Sequence, residues 1–260
     1  MLPTYIENPK TKGSGIYGCI PQTGTCPNGC SDCFFQSGRS YLEPLVEHLP
    51  NIPYDMKGKN CVVRVNDGND SFFLSPVEIE YIIQNFPMCF FNTSVPRDLW
   101  KYQGTNQEGH IIHAPYVLTV NPGKDTDKSF TKLEGVNIDI MFVRFRTNTW
   151  NLPLAKECVK YYSDREIPII LTFMAYYMER DTIPDEHLQN YVFRKRTLNS
   201  YYAITTEAWR NVMKVFEDNK WVHSCGKIEG ENGDTHCRFC GNCLREYFAT
   251  MERMFNWNNP

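Results

Sequence analysis

Short apolar runs alternate with amphipathic stretches along this chain, and that alternation constrains the fold more than any other feature. "CVVRV" (61–65) is rich in β-branched residues and stops at "NDGND", which reads as a strand and its exit turn. "SPVEIEYIIQNF" (75–86) then predicts a helix, with Ser75 as N-cap, Pro76 in the first turn and Glu78 completing a capping box. "MCFFNTSV" (88–95), "YVLTVN" (116–121), "IDIMFVRFR" (138–146) and "PIILTFMAYY" (168–177) read as further strands. "PLAKECVKYYSDR" (153–165) and "TTEAWRNVMKVFEDN" (205–219), the latter capped by Thr205 or Thr206, read as helices.

A strand–loop–helix order implies a parallel sheet with crossover connections, and strands buried on both faces read as continuous apolar runs. With "SGIYGCI" (14–20) as the first strand, the expected class is α/β: a partial (β/α)6, TIM-like barrel of parallel strands over residues 1–220. Residues 221–260 form a small cysteine-rich C-terminal extension, "HSCGKIEGENGDTHCRFCGNCLREYF" followed by a short helix, "LREYFATMERMF". In such folds the chemistry gathers at the carboxyl ends of the strands. "NDGND" and the loop after the first strand belong there.

That loop contains "TGTCPNGCSDCFFQSGR" (23–39), in which Cys26, Cys30 and Cys33 are spaced C-x3-C-x2-C among glycines and a proline. No run of eighteen apolar residues is present, so no membrane span is expected, and the N-terminus lacks the apolar region of a signal peptide. The expected location is a reducing cytoplasm. There, 11 cysteines point to metal or redox chemistry ahead of disulfides. Cys61, Cys89 and Cys158 lie in apolar stretches, where a thiol behaves as a small hydrophobe, and Cys19 stands close to the first cluster. A formal net charge of −3 gives no bulk pull toward nucleic acid.

Three thiolates at this spacing suit three corners of an iron–sulfur cluster, because a structural zinc ion wants four protein ligands in a closed tetrahedron. A [4Fe–4S] cluster held by three cysteines leaves one iron open to a small molecule. The loop resembles the radical S-adenosylmethionine (SAM) enzyme family, whose signature is C-x3-C-x2-C after the first barrel strand. The resemblance implies that Cys26, Cys30 and Cys33 hold a [4Fe–4S] cluster whose open iron chelates SAM. It further implies reductive SAM cleavage to a 5′-deoxyadenosyl radical, hydrogen abstraction from a substrate, and an external one-electron reductant such as flavodoxin or ferredoxin.

The family carries a glycine-containing motif after its second strand that holds the SAM amino group. "VNDGND" (65–70) stands in that position, which makes Asn66, Asp67, Gly68, Asn69 and Asp70 candidate SAM contacts. Ser94 or Asn92, ending the third strand, and Arg144 or Arg146, on a later one, are further candidates for SAM or substrate. The residue before the third cysteine is usually aromatic or aliphatic in the family and lies near the adenine. Here it is Asp32, and Phe34 or Phe35 stands in for it. The matching letters are confined to the cysteine loop within a likeness spanning roughly residues 14–180.

Cys225, Cys237, Cys240 and Cys243 form a second group, C-x11-C-x2-C-x2-C. Its C-x2-C steps suit either a structural zinc ion or a second [4Fe–4S] cluster. Several branches of the family carry an auxiliary cluster in a C-terminal extension. His223 and His236 flank the group and can replace a cysteine.

"GSGIYG" (13–18) matches G-x-G-x-x-G but has neither a strand before it nor a helix after it, as dinucleotide binding requires. "NDS" and "NTS" are glycosylation sequons without meaning in a cytoplasmic chain. "FRKRT" (193–197), near "NSYYAI", is a basic patch. It supports an alternative function, a zinc-stabilised module binding RNA or protein without catalysis. For the enzyme, the residues leave peptide, nucleoside and small-metabolite substrates open.

Overall fold

The computed structural model describes residues 5–22, 26–30, 50–54, 61–66, 68–123, 127–133, 135–177, 182–195, 200–229 and 234–258. Seven parallel strands form its main sheet: β1 (Ile16–Cys19), β2 (Val62–Val65), β3 (Cys89–Thr93), β6 (Tyr116–Thr119), β7 (Ile140–Thr147), β8 (Ile169–Phe173) and β12 (Val222–Ser224). They pair in chain order, every neighbour parallel, and the sheet curls into a half-barrel with β1 and β12 as its two edges. The expected six strand units thus become seven strands.

The crossovers are less regular than the sequence pattern predicts. Helix α1 (Pro76–Asn85) joins β2 to β3, and its capping box forms as expected: Ser75 Oγ accepts from Glu78 N, while Glu78 Oε2 accepts from Ser75 N at 2.7 Å. Helix α2 (Leu152–Ser163) joins β7 to β8, and α3 (Thr206–Lys214), capped by Thr205, precedes β12. Between β3 and β6 a two-stranded hairpin, β4 (Gln103–Thr105) and β5 (Ile111–His113), takes the place of a helix. Pro96, Gly104 and Gly109 break any helical period in that segment.

Two elements stop earlier than the periodicity suggests. The helix expected to residue 219 ends at Lys214, where i→i+3 bonds from Val215 and Phe216 tighten the chain into turns. The strand expected over 168–177 ends at Phe173, opposite Thr147, the last residue of β7. Past that point no parallel neighbour remains. β9 (Tyr176–Tyr177) instead pairs antiparallel with β11 (Tyr201–Ile204), which also pairs with β10 (Tyr191–Arg194).

The two faces of the sheet bury different partners. On the convex face Val63, Val65, Phe91, Leu118, Val143 and Leu171 pack against Ile79, Ile82 and Ile83 of α1, Cys158 and Tyr162 of α2, and Val212 of α3. On the concave face Ile16, Val62, Phe90, Val117, Phe142 and Ile170 surround Tyr247. Tyr247 belongs to α5 (Asn242–Asn258), a helix of 17 residues that begins within the cysteine run and is longer than expected. Arg253 of α5 donates to the Ile138 and Ile140 carbonyls at 2.9 and 2.6 Å, tying the helix to the start of β7. The boundary at residue 221 falls one residue ahead of β12. The C-terminal segment therefore supplies the seventh strand and fills part of the concave face.

Candidate functional site

The cysteine loop leaves the carboxyl end of β1. Cys26 and Cys30 are described; Cys33, Asp32, Phe34 and Phe35 lie outside the described residues, as does Asp67. Gly29 reverses the loop at φ 53°, a left-handed conformation that glycine adopts without steric cost. Asn28 anchors it, donating to Asp70 Oδ2 at 2.8 Å and to Ser94 Oγ at 3.1 Å. Gln22 donates to the Asp70 carbonyl at 3.2 Å.

Cys26 and Cys30 line an open cleft together with Asn66, Asn69, Asp70, Asn92, Ser94, Arg144 and Arg146. Most of the expected residues of "VNDGND" and of the later strand ends thus share one space over the carboxyl edge of the sheet. Gly68 sits in the same turn but does not line the cleft. The members play unequal parts. Asp70 is spent on structure: its carboxylate accepts from Phe72 N, Ser94 N, Ser94 Oγ and Asn28 Nδ2. Asn69 Oδ1 accepts the Asp70 N–H.

Asn66 and Asn92 are arranged differently. Asn92 Nδ2 donates to the Val65 carbonyl at 2.9 Å, and Asn66 Nδ2 donates to Ser71 Oγ at 3.0 Å. Their amide oxygens are buried and accept no hydrogen bond from the described residues. Two such acceptors beside a cleft carry a desolvation cost, which a donor removes where a small shift of the wall exposes them. Asn66 holds φ 61°, a conformation asparagine tolerates, at the point where β2 ends.

Arg144 and Arg146 reach the same cleft from β7. Arg146 is buried, and its backbone is clamped: its N–H donates to Asn121 Oδ1 at 2.8 Å, and its carbonyl accepts from Asn121 and Asn151. The cleft therefore has oxygen acceptors toward β2 and β3 and guanidinium donors on β7.

The second cysteine group occupies a different level of the concave face. Cys225, Cys237, Cys240 and Cys243 all line one small cavity, with Phe142, Ile170 and Leu244 as its apolar wall and Arg64 and Arg144 facing it. Cys225 follows β12, its N–H donating to the Leu171 carbonyl at 2.7 Å. Cys237 and Cys240 bound a single helical turn, α4 (Cys237–Cys240), and Gly241 at φ 66° reverses the chain into α5, which carries Cys243. Asn242 donates to the Ser224 carbonyl at 2.7 Å and fixes this junction against β12. A hydrogen bond from Cys237 shifts the Cys225 thiol toward the thiolate against the opposing effect of burial, with Arg144, Thr172 and Arg64 adding to the downward shift. Cys237 is displaced upward by the same bond. His223 does not line this cavity; burial, with Arg245 nearby, lowers its pKa.

As placed, no three His, Cys, Asp or Glu side chains among the described residues stand close enough together to ligate one metal ion. The site is a set of thiols sharing a cavity wall. The other cysteines are elsewhere: Cys19, Cys89 and Cys158 are buried in the convex-side core, where desolvation raises their pKa, and Cys61 is half-buried. Of the basic patch, Phe193 and Arg194 lie on β10 with Phe193 exposed, and Lys195 follows, while Arg196 and Thr197 lie outside the described residues. "GSGIYG" leads into β1 with Gly13 and Gly15 both at φ 79°, and no helix follows it directly.

Sequence reasoning missed Arg64, Asn28 and Thr172. A signal existed for Arg64, an arginine in the middle of an otherwise apolar strand. No helix among the described residues is long and apolar enough to cross a membrane. Compared with protein-family models, with curated proteins and with solved structures, the chain matches none significantly.

Proposed function

We propose that this chain is a radical SAM enzyme built on an open, TIM-like (β/α) barrel. The observation that carries the reading is the cleft itself. Cys26 and Cys30 of the three-cysteine loop line it at the carboxyl ends of the strands, together with Asn66 and Asn92, whose buried amide oxygens accept from none of the described residues, and with two arginines from β7. Three soft thiolates fit a [4Fe–4S] cluster with one open iron better than they fit a closed zinc site. Cys26, Cys30 and Cys33 would hold that cluster.

When bound, that cluster would supply one electron, drawn from an external reductant such as flavodoxin or ferredoxin, for reductive cleavage of SAM and hydrogen abstraction from substrate. The chain's own residues bind and orient. The Asn66 and Asn92 amide oxygens accept from the SAM ammonium. Arg144 and Arg146 face a carboxylate, of SAM or of substrate. Asp70 and Ser94 hold the cysteine loop against β2 and β3 through Asn28. Cys225, Cys237, Cys240 and Cys243 hold a second metal group, a [4Fe–4S] cluster or zinc, and the chemistry of four thiols on one cavity suits either.

The test is anaerobic loading with iron and sulfide, followed by SAM and dithionite, with 5′-deoxyadenosine measured. The nucleoside is expected from the intact chain and not from Cys30→Ala. An iron- and sulfide-loaded protein that makes none, with or without candidate peptides and nucleosides present, contradicts the reading. Zinc in place of iron on the first loop points instead to a metal-stabilised binding module.

A further inference from the structure

The stretch "YVFRKRTLNSYYAI" (191–204) takes no part in either cysteine site. Its two ends form β10 and β11, which pair antiparallel with Phe193 opposite Tyr202. Tyr202 in turn stands opposite Tyr176 of β9. Residues directly opposite one another in an antiparallel pair share a face, so a row of rings crosses all three strands. The Phe193 and Tyr202 ring centroids lie 5.1 Å apart, and Tyr176 continues the row to Trp150 at 5.3 Å.

The two ends of that row differ. Tyr176, Tyr202 and Trp150 pack against a small core of Ile183, Tyr191, Ile204 and Ala208, and Trp150 Nε1 donates to Asp127 Oδ2 at 2.8 Å. Phe193, at the other end, is 50% exposed. Strand pairing and its ring partner hold it in place, so it offers an apolar π-face that needs little further ordering. The charge beside it has one sign. Residues 191–204 include Arg194, Lys195 and Arg196 and no acidic residue, in a chain of net charge −3. Lys195 is exposed. Asp185 and Glu186 lie in the 3-10 turn before β10, separated from Lys195 in the chain by the whole strand.

A fixed ring beside local positive charge matches a ligand that carries planar faces on an anionic backbone. Single-stranded nucleic acid has both, since its bases stack on aromatic rings and its phosphates meet cations. An acidic peptide satisfies only the cations. We propose that Phe193, Tyr202 and Lys195 form a docking face for single-stranded nucleic acid. The proposal does not depend on what either cysteine site holds. The face is tied to the carboxyl end of β7, where Thr149 N donates to the Tyr191 hydroxyl at 3.4 Å and Thr149 Oγ1 bonds His187 Nδ1 at 2.9 Å.

The test titrates the full chain into a fluorescein-labelled oligouridylate of about a dozen nucleotides and follows anisotropy at several salt concentrations. Binding is expected with a Kd of about 1–100 μM near physiological salt, weakening as salt rises. Phe193→Ala is expected to weaken it about tenfold, and Phe193→Trp to retain it. Lys195→Gln, at an exposed position, is expected to reduce the slope of log affinity against log salt by about 0.7. If thermal melting shows Phe193→Ala unfolded, Phe193→Leu takes its place, keeping the apolar volume and removing the ring.

No binding up to about 100 μM protein overturns the proposal and leaves a protein partner for this face. Binding that neither the Phe193 nor the Lys195 substitution changes places the nucleic acid elsewhere on the chain and overturns it as well. A reduced salt slope in Lys195→Gln with full affinity in folded Phe193→Ala reduces the face to a general attraction for polyanions and overturns the stacking role.

Discussion

The Ser94 hydroxyl donates to Asp70 Oδ2 at 2.5 Å, and its backbone N–H donates to the same oxygen at 2.9 Å. One carboxylate oxygen thus joins the end of β3 to the turn after β2, and it also receives Asn28 from the cysteine loop. Asp70→Ala removes all of these acceptors at a site only 5% exposed. The expected loss is about 3 kcal/mol of stability, against about 1 kcal/mol for Ser94→Ala. Urea unfolding measures both. If the loop depends on this anchor, Asp70→Ala also lowers iron content at the first site while Ser94→Ala retains most of it.

Phe91 and Tyr102 stack in the convex core with ring centroids 4.3 Å apart and planes 6° from parallel. Phe91 is fully buried on β3, and Tyr102 precedes the β4–β5 hairpin that replaces a crossover helix. Phe91→Ala is expected to cost about 3–5 kcal/mol, with Phe91→Leu costing much less. Equal effects of the two substitutions in a denaturant series would show that the ring stack, and not buried apolar volume, holds this irregular crossover.

Asp139 stands 2% exposed just before β7 and accepts the Trp100 N–H at 3.2 Å. Burial raises its carboxyl from the ordinary 3.8 to about 6, although Arg253 nearby pulls the other way. Between those pH values the folded chain keeps a proton that the unfolded chain has released. The stabilisation is complete below the unfolded pKa and is lost as pH rises through about 6, by roughly 2–3 kcal/mol. Asp139→Asn should remove this contribution and flatten stability between about pH 4 and 6. The check is the urea midpoint of both proteins across that range; parallel curves would contradict it.

Gly15 enters β1 at φ 79°, and a Cβ there would meet Leu244 Cδ1 at 3.2 Å. Gly15→Ala therefore carries both backbone strain and a crowded contact with α5, together about 1–3 kcal/mol. Adding Leu244→Ala relieves the contact but not the backbone. A double-mutant cycle in thermal unfolding is expected to show the two changes coupled, in keeping with their contact. Simple additivity would mean that strain at Gly15 accounts for the whole effect.

Local chemistry determined much of this protein. The Ser75–Glu78 capping box, the Thr205 cap, the order of the strands and the thiol spacing of the first loop are all short-range features. Each is set by residues within a few positions of one another, so a linear reading finds them. Which face a strand turns inward is another matter. "CVVRV" and "IDIMFVRFR" are buried on both sides, so their pattern carries no polarity, and Arg64 and Arg144 look like interruptions of apolar runs. Only pairing and curl decide that both face the hollow of the sheet. The same holds for the end of the chain. Residues 221–260 read as an appendage, yet β12 extends the sheet and Tyr247 enters the concave core, covering an apolar face of the sheet. Arg64, Arg144 and Cys225 are separated by some 80 residues at each step in the chain and meet at one cavity. No local period encodes such a meeting; it follows from burying two faces of one sheet at once.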